Sequence, residues 1–83
     1  MTEKEIGLVS VYFSHIEVAA IKLAGKLKVG DRIHIKGHTT DFEQLVDSMQ
    51  IDRKEVTEAK KGDEIGIKVN DRVRPNDKVL IVS

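Results

Sequence analysis

"TTDFEQLVDSMQID" (residues 39–52) can be read with two periods, and the choice between them decides the fold. At 3.6 residues per turn, Phe42, Leu45, Val46 and Met49 fall at i, i+3, i+4 and i+7, one face of a helix, and Thr40 with Glu43 has the spacing of a capping box. At a period of two the same segment is a strand with irregular alternation. The helix reading gives an α+β domain with a helix at about residues 41–50. The strand reading leaves the whole chain β.

The surrounding sequence is built of strands. Leu27-Lys28-Val29-Gly30-Asp31-Arg32-Ile33, Ala59-Lys60-Lys61-Gly62-Asp63-Glu64-Ile65 and Val73-Arg74-Pro75-Asn76-Asp77-Lys78-Val79 share one pattern. Each sets Gly or Asn, which tolerate positive φ, before Asp and an alternating apolar run, as when a tight turn launches a strand. The launched runs alternate: Ile33 and Ile35 against Arg32, His34 and Lys36; Ile65, Ile67 and Val69 against Glu64 and Lys68; Val79 and Ile81 against Leu80 and Val82. Upstream, residues 6–13 and 16–23 are rich in β-branched side chains and flank a break at Ser14-His15. Short antiparallel strands in so short a chain predict closure into a small barrel, which removes exposed edges.

The chain's 83 residues form one domain, 1–83. Hydrophobic residues make up 40% and charged residues 34%, with 14 Lys and Arg against 14 Asp and Glu. That neutrality argues against bulk electrostatic capture of nucleic acid but allows a local basic patch. There is no cysteine, hence no disulfide, thiolate nucleophile or Cys-based zinc site. The charged start Thr2-Glu3-Lys4-Glu5 leads into an apolar run too short for a secretory core or a membrane span, so a cytoplasmic protein with no membrane partner is expected.

Val46-Asp47-Ser48-Met49-Gln50-Ile51, followed by Val56, Ala59 and the run from Gly62 to Val69, resembles the second domain of translational GTPases of the elongation factor Tu type, where a V-x-S-I/M strand precedes an A-x-x-G-D-x-V-G turn. Val18 to Leu23 and Leu27 to Gly37 are similar to that family's L-K-x-G-D-x-V hairpin, and Asp71 to Val79 to its closing V-x-R-G-D-V segment, with Asn76 in place of Gly. The same kind of barrel ends U32-family peptidases and occurs as a free-standing elongation factor-like protein, whose length this chain resembles. The resemblance implies a small closed antiparallel β-barrel of about six strands, with residues 39–52 a strand whose in/out phase is shifted by a bulge. No glycine opens a G-x-x-x-x-G-K-S/T loop, so nucleotide binding is not expected.

The resemblance further implies a non-catalytic binding module that contacts tRNA or ribosomal RNA. The residues placed to do so are Arg32, His34 and Lys36 along one strand face, with Gln50, Arg53, Lys54, Lys60 and Lys61 near the family's acceptor-end pocket. In the tRNA carriers an acid stands at Gln50, a His at Asp52 and an Asn at Glu64. Each of these cations also has an ordinary reading as a solvated strand face or turn. The alternative is a protein-interaction barrel serving as adaptor for a separate enzyme such as a U32-type peptidase, through Leu80 and Val82. Phe13 and Phe42 are read as core residues. His34 and His38 are four apart, but on a strand ending at Gly37 that spacing does not converge, so no metal or other cofactor is expected. No serine, histidine and carboxylate set forms a legible nucleophilic site, and catalysis by the chain alone is not expected.

Overall fold

The recurring turn sequences fold alike. In Lys28-Val29-Gly30-Asp31, Gly30 takes φ +98°, the Asp31 amide donates to the Lys28 carbonyl (3.1 Å), and the Lys28 amide donates to the Asp31 carboxylate (3.0 Å). Lys60-Lys61-Gly62-Asp63 repeats this, with Gly62 at φ +95° and both bonds at 3.0 Å. Arg74-Pro75-Asn76-Asp77 repeats it again, with Asn76 at φ 76° and bonds of 3.1 and 2.9 Å. Positive φ at the third position defines a type II turn, for which Pro75 pre-sets the second position. The aspartate satisfies the amide that opens each turn, and a strand follows.

The computed structural model describes residues 3–82, which contain ten strands and no helix. They are β1 (Glu3–Phe13), β2 (Val18–Leu23), β3 (Leu27–Lys28), β4 (Arg32–Lys36), β5 (Asp41–Leu45), β6 (Met49–Ile51), β7 (Lys54–Val56), β8 (Glu58–Ala59), β9 (Glu64–Lys68) and β10 (Lys78–Val82). Every pairing is antiparallel. Eight strands form one sheet in the order β5-β4-β10-β1-β2-β9-β6-β7, and β3 pairs with β8. No helix of the described residues is long and apolar enough to cross a membrane.

The helix expected as an alternative at about residues 41–50 does not form: that span holds β5, a break at 46–48 and the start of β6. Phe42, Gln44 and Val46 turn inward at period two, and Met49, three residues on, is again fully buried. The break moves the phase by one residue, which brings Val46 and Met49 into the same core.

The expected closed barrel is not found, because the hydrogen-bonded ladder stays open between β5 and β7. The chain leaves β5 directly for the 46–48 break, and β6 meets β9 at a single registered pair, Gln50 with Gly66. Across the gap a side chain substitutes for backbone pairing. The buried Gln44 amide donates to the Lys68 carbonyl (2.9 Å), and its oxygen accepts from the Asn70 amide (2.7 Å).

Inside lies an aliphatic core including Ile6, Val9, Ile21, Leu27, Ile33, Ile35, Val46, Met49, Ile65, Ile67 and Val79, with Phe42 and Tyr12 packed against its margin. Phe13, expected in this core, is 48% exposed. A register shift between Val9 and Val11 on β1 keeps Val9 inside while Leu8, Val11 and Phe13 all point out.

Candidate functional site on the outer face of the sheet

Two patches on the outer face carry distinct chemistry. The first lies across β5, β4, β10 and the start of β1. Residues directly opposite in an antiparallel pair share a face. His34 thus stands beside Glu43 on one side and Leu80 on the other, Leu80 beside Glu5, and Val82 between Arg32 and Glu3. His34, only 13% exposed, is gripped from both ends: Nδ1 lies 2.6 Å from a Glu3 oxygen and Nε2 lies 2.5 Å from an Asp41 oxygen. The imidazole is held above its usual pKa first by the Asp41 hydrogen bond; partial burial opposes this, and the Glu3 carboxylate adds to it. Arg32 is itself paired with Glu43 at 3.5 Å.

This arrangement bears on both sets of residues chosen from the sequence. Arg32, His34 and Lys36 do share one face of β4, but Arg32 and His34 are engaged by carboxylates and Lys36 stands opposite Asp41. A phosphate approaching here meets Glu3, Asp41 and Glu43 as well as the cations. Gln50, Arg53 and Lys54 belong to the β6–β7 hairpin, separated from β4 in the sheet by β10, β1, β2 and β9, and Lys60 and Lys61 sit in the turn before β9. The eight residues thus come from β4, the β6–β7 hairpin and the turn before β9.

Leu80 and Val82, chosen as an exposed apolar patch, are each half-buried. The cause is the same network: Glu3, Glu5, Arg32 and His34 flank them in register, and the Glu3 to His34 contact reaches across β10. Charged heads meet above while their stems cover the aliphatic surface.

The second patch is apolar and open. Leu8, Val11 and Phe13 of β1 are 40%, 44% and 48% exposed, and Ile16 in the following turn is 62% exposed. In register with them on β2 lie the outward Val18 (opposite Phe13) and Ala20 (opposite Val11), and next on β9 comes Gly66, opposite Ala20. With no side chain at Gly66 the face there is flat, bounded by Lys22, Glu64 and Lys68. An open groove lined by Gly7, Leu8, Lys22, Leu23, Lys61 and Gly62 adjoins it. Sequence reasoning missed this face because the alternation of residues 6–13 does not reveal where the bulge falls.

No protein-family model matches the chain. Over 79 residues, 94% of its length, it is 46% identical to an uncharacterized protease of Methanocaldococcus jannaschii. Over 70 residues, 82% of its length, it is 40% identical to a collagenase of Porphyromonas gingivalis. The chain spans about one fifth of the length of these curated relatives, 19% of each. Among solved structures, the C-terminal domain of a Geobacillus thermoleovorans U32 peptidase matches with a TM-score of 0.91 at 18% identity, covering 96% of this chain and 93% of that one. Its selenomethionine variant matches with a TM-score of 0.87 at 19% identity, covering 92% and 96%. Of the two families that the sequence resembles, it is the peptidase side that finds support: the chain has the fold of a U32 peptidase C-terminal domain and is homologous to a segment of a U32-family protease.

Proposed function

We propose that this chain is a non-catalytic protein-interaction domain that docks on a U32-type peptidase polypeptide through the outer face of β1 and β2. The observation that carries the reading is the open apolar face formed by Leu8, Val11, Phe13, Val18 and Ala20. Exposed aliphatic and aromatic side chains gathered on a flat sheet face leave apolar surface in water that a partner can remove. The occupant is argued from length: about four fifths of each matched relative lies outside the segment resembling this domain, and that remaining polypeptide is the partner such a domain has at hand. The sequence offers no legible serine, histidine and carboxylate set for nucleophilic hydrolysis, which supports the non-catalytic part of the proposal. Recognition, with catalysis left to the partner polypeptide, fits what the domain contains.

The test is an amide NMR titration of the labelled chain with the whole U32-type polypeptide of the same organism. Perturbation concentrated at residues 8–13 and 18–20, abolished by Val11→Glu with Phe13→Glu, is the expected result. A silent β1–β2 face overturns the proposal. An RNA hairpin with an unpaired CCA tail forms a second arm: tail-dependent shifts at Arg53, Lys60 and Lys61, with no response to the polypeptide, would favour nucleic-acid recognition instead.

A further inference from the structure

We propose that Glu3, His34 and Glu43 form a binding site for a divalent transition-metal ion of the zinc type, with Asp41 orienting the histidine. The three side chains come from β1, β4 and β5, and one donor atom of each lies within 4.8 Å of the other two. This is a nitrogen and oxygen donor set of the kind zinc accepts, at about 2.0–2.2 Å from each ligand. Closing on one ion at that distance requires the two exposed glutamates to rotate toward His34. Three protein ligands leave a fourth position open.

The two ends of His34 have different roles. A metal-binding histidine characteristically donates its remaining ring N–H to a carboxylate, which fixes its tautomer and raises its basicity. Asp41 sits on Nε2 in that position. Asp41 can hold the proton on Nε2, which leaves Nδ1, 2.6 Å from the Glu3 carboxylate, as the nitrogen that gives up its proton to an ion. Two acceptors that close need a cation between them, and a metal ion can replace the proton that otherwise fills the gap. Charge points the same way. Glu3, Asp41 and Glu43 surround one imidazole and one guanidinium, Arg32, so the neutral-histidine cluster carries a net negative charge. On binding, Glu43 exchanges its 3.5 Å contact with Arg32 for the ion. The site spans β5, β4, β10 and the start of β1, and the apolar face begins further along β1 and continues onto β2. Its ligands tie the start of β1 to β5 across the two strands between them.

The experiment is a titration of the untagged, chelator-treated chain with zinc alone, in competition with a chromophoric chelator, followed by NMR of the histidine ring nitrogens. One ion per chain, with the His34 Nδ1 signal shifting and those of His15 and His38 unmoved, is expected. Affinity should fall more than about tenfold in His34→Gln and in Glu43→Gln, and by about 10-fold to 100-fold in Asp41→Asn, the range found for such outer partners. His34 lies on the outer face, and a matching amide spectrum for each variant excludes unfolding as the cause. Absence of zinc binding, or binding that His34→Gln leaves unchanged, overturns the assignment. Selective uptake of calcium over zinc overturns the metal class, since an imidazole ligand does not suit calcium.

Discussion

Arg53 and Asp52 adopt φ of 67° and 50°, and between them they make the two-residue loop from β6 to β7, with Ile51 paired to Lys54. A loop of that length with both residues left-handed is a type I′ turn, for which Asn-Gly and Asp-Gly are the favoured pairs. Asp52 tolerates the conformation because a short polar side chain of its type can bond locally, whereas the Arg53 Cβ crowds the backbone. Arg53→Gly relieves that crowding but loosens the unfolded chain, so a net gain of about 0.5–1 kcal/mol is expected, read as a higher urea midpoint at unchanged slope. Arg53→Val should lower the midpoint instead. The three aspartate turns were legible in the sequence because each carries its Gly or Asn at the left-handed position and its Asp one step later. The Asp52-Arg53 turn was not, since neither residue announces positive φ. Nor was the setting of His34, whose partners Glu3 and Asp41 come from other strands and meet it only through the register of the sheet.

Gln44 holds the open side of the sheet, and its energetic role follows from its two bonds to the chain beyond β9. Gln44→Leu keeps the bulk but leaves the Lys68 carbonyl and the Asn70 amide without their partner. A fully buried backbone group stripped in this way costs about 1–3 kcal/mol, and these two, on exposed residues, are partly reached by water. A loss of about 1 kcal/mol in urea unfolding is expected, together with faster hydrogen exchange at Asn70. Unchanged exchange there would mean that the gap is held by core packing alone. The same element explains why residues 39–52 read two ways. Inward positions run Phe42, Gln44, Val46 and then Met49, so the break after β5 inserts a three-residue step that imitates helical spacing. Leu45 settles the matter: a helix would bury it beside Phe42 and Met49, yet it is 49% exposed and faces outward from β5. The polar inward position, Gln44, made the strand alternation look poor, although its side chain ties β5 to the chain at Lys68 and Asn70.

At the scale of the whole molecule, the core and the proposed docking face make separable demands. Interior residues such as Ile21 are wholly enclosed and hold the sheet together, while Val11 and Phe13 are 44% and 48% exposed in the isolated domain. The sequence marked Phe13 as core on the strength of its residue type. What it does not encode locally is the register shift on β1 that keeps Phe13 and Val11 on the same outer face as Leu8. Truncating Val11 and Phe13 to Ser removes surface that already faces water, so unfolding free energy should change by less than about 1 kcal/mol. If the face docks on a U32-type polypeptide, each of these side chains loses its remaining exposed half in the complex, and burial of that half contributes about 0.7–1.5 kcal/mol. Losing both should then weaken association at least about tenfold, since roughly 1.4 kcal/mol is a factor of ten. Ile21→Ala provides the converse. It should cost about 2–5 kcal/mol of stability through the cavity it leaves, yet the fraction that remains folded should bind with unchanged affinity. Calorimetric unfolding of both variants, beside their binding isotherms, gives the two quantities independently. Loss of binding that merely tracked loss of stability in both variants would show that the β1–β2 face has no recognition role of its own.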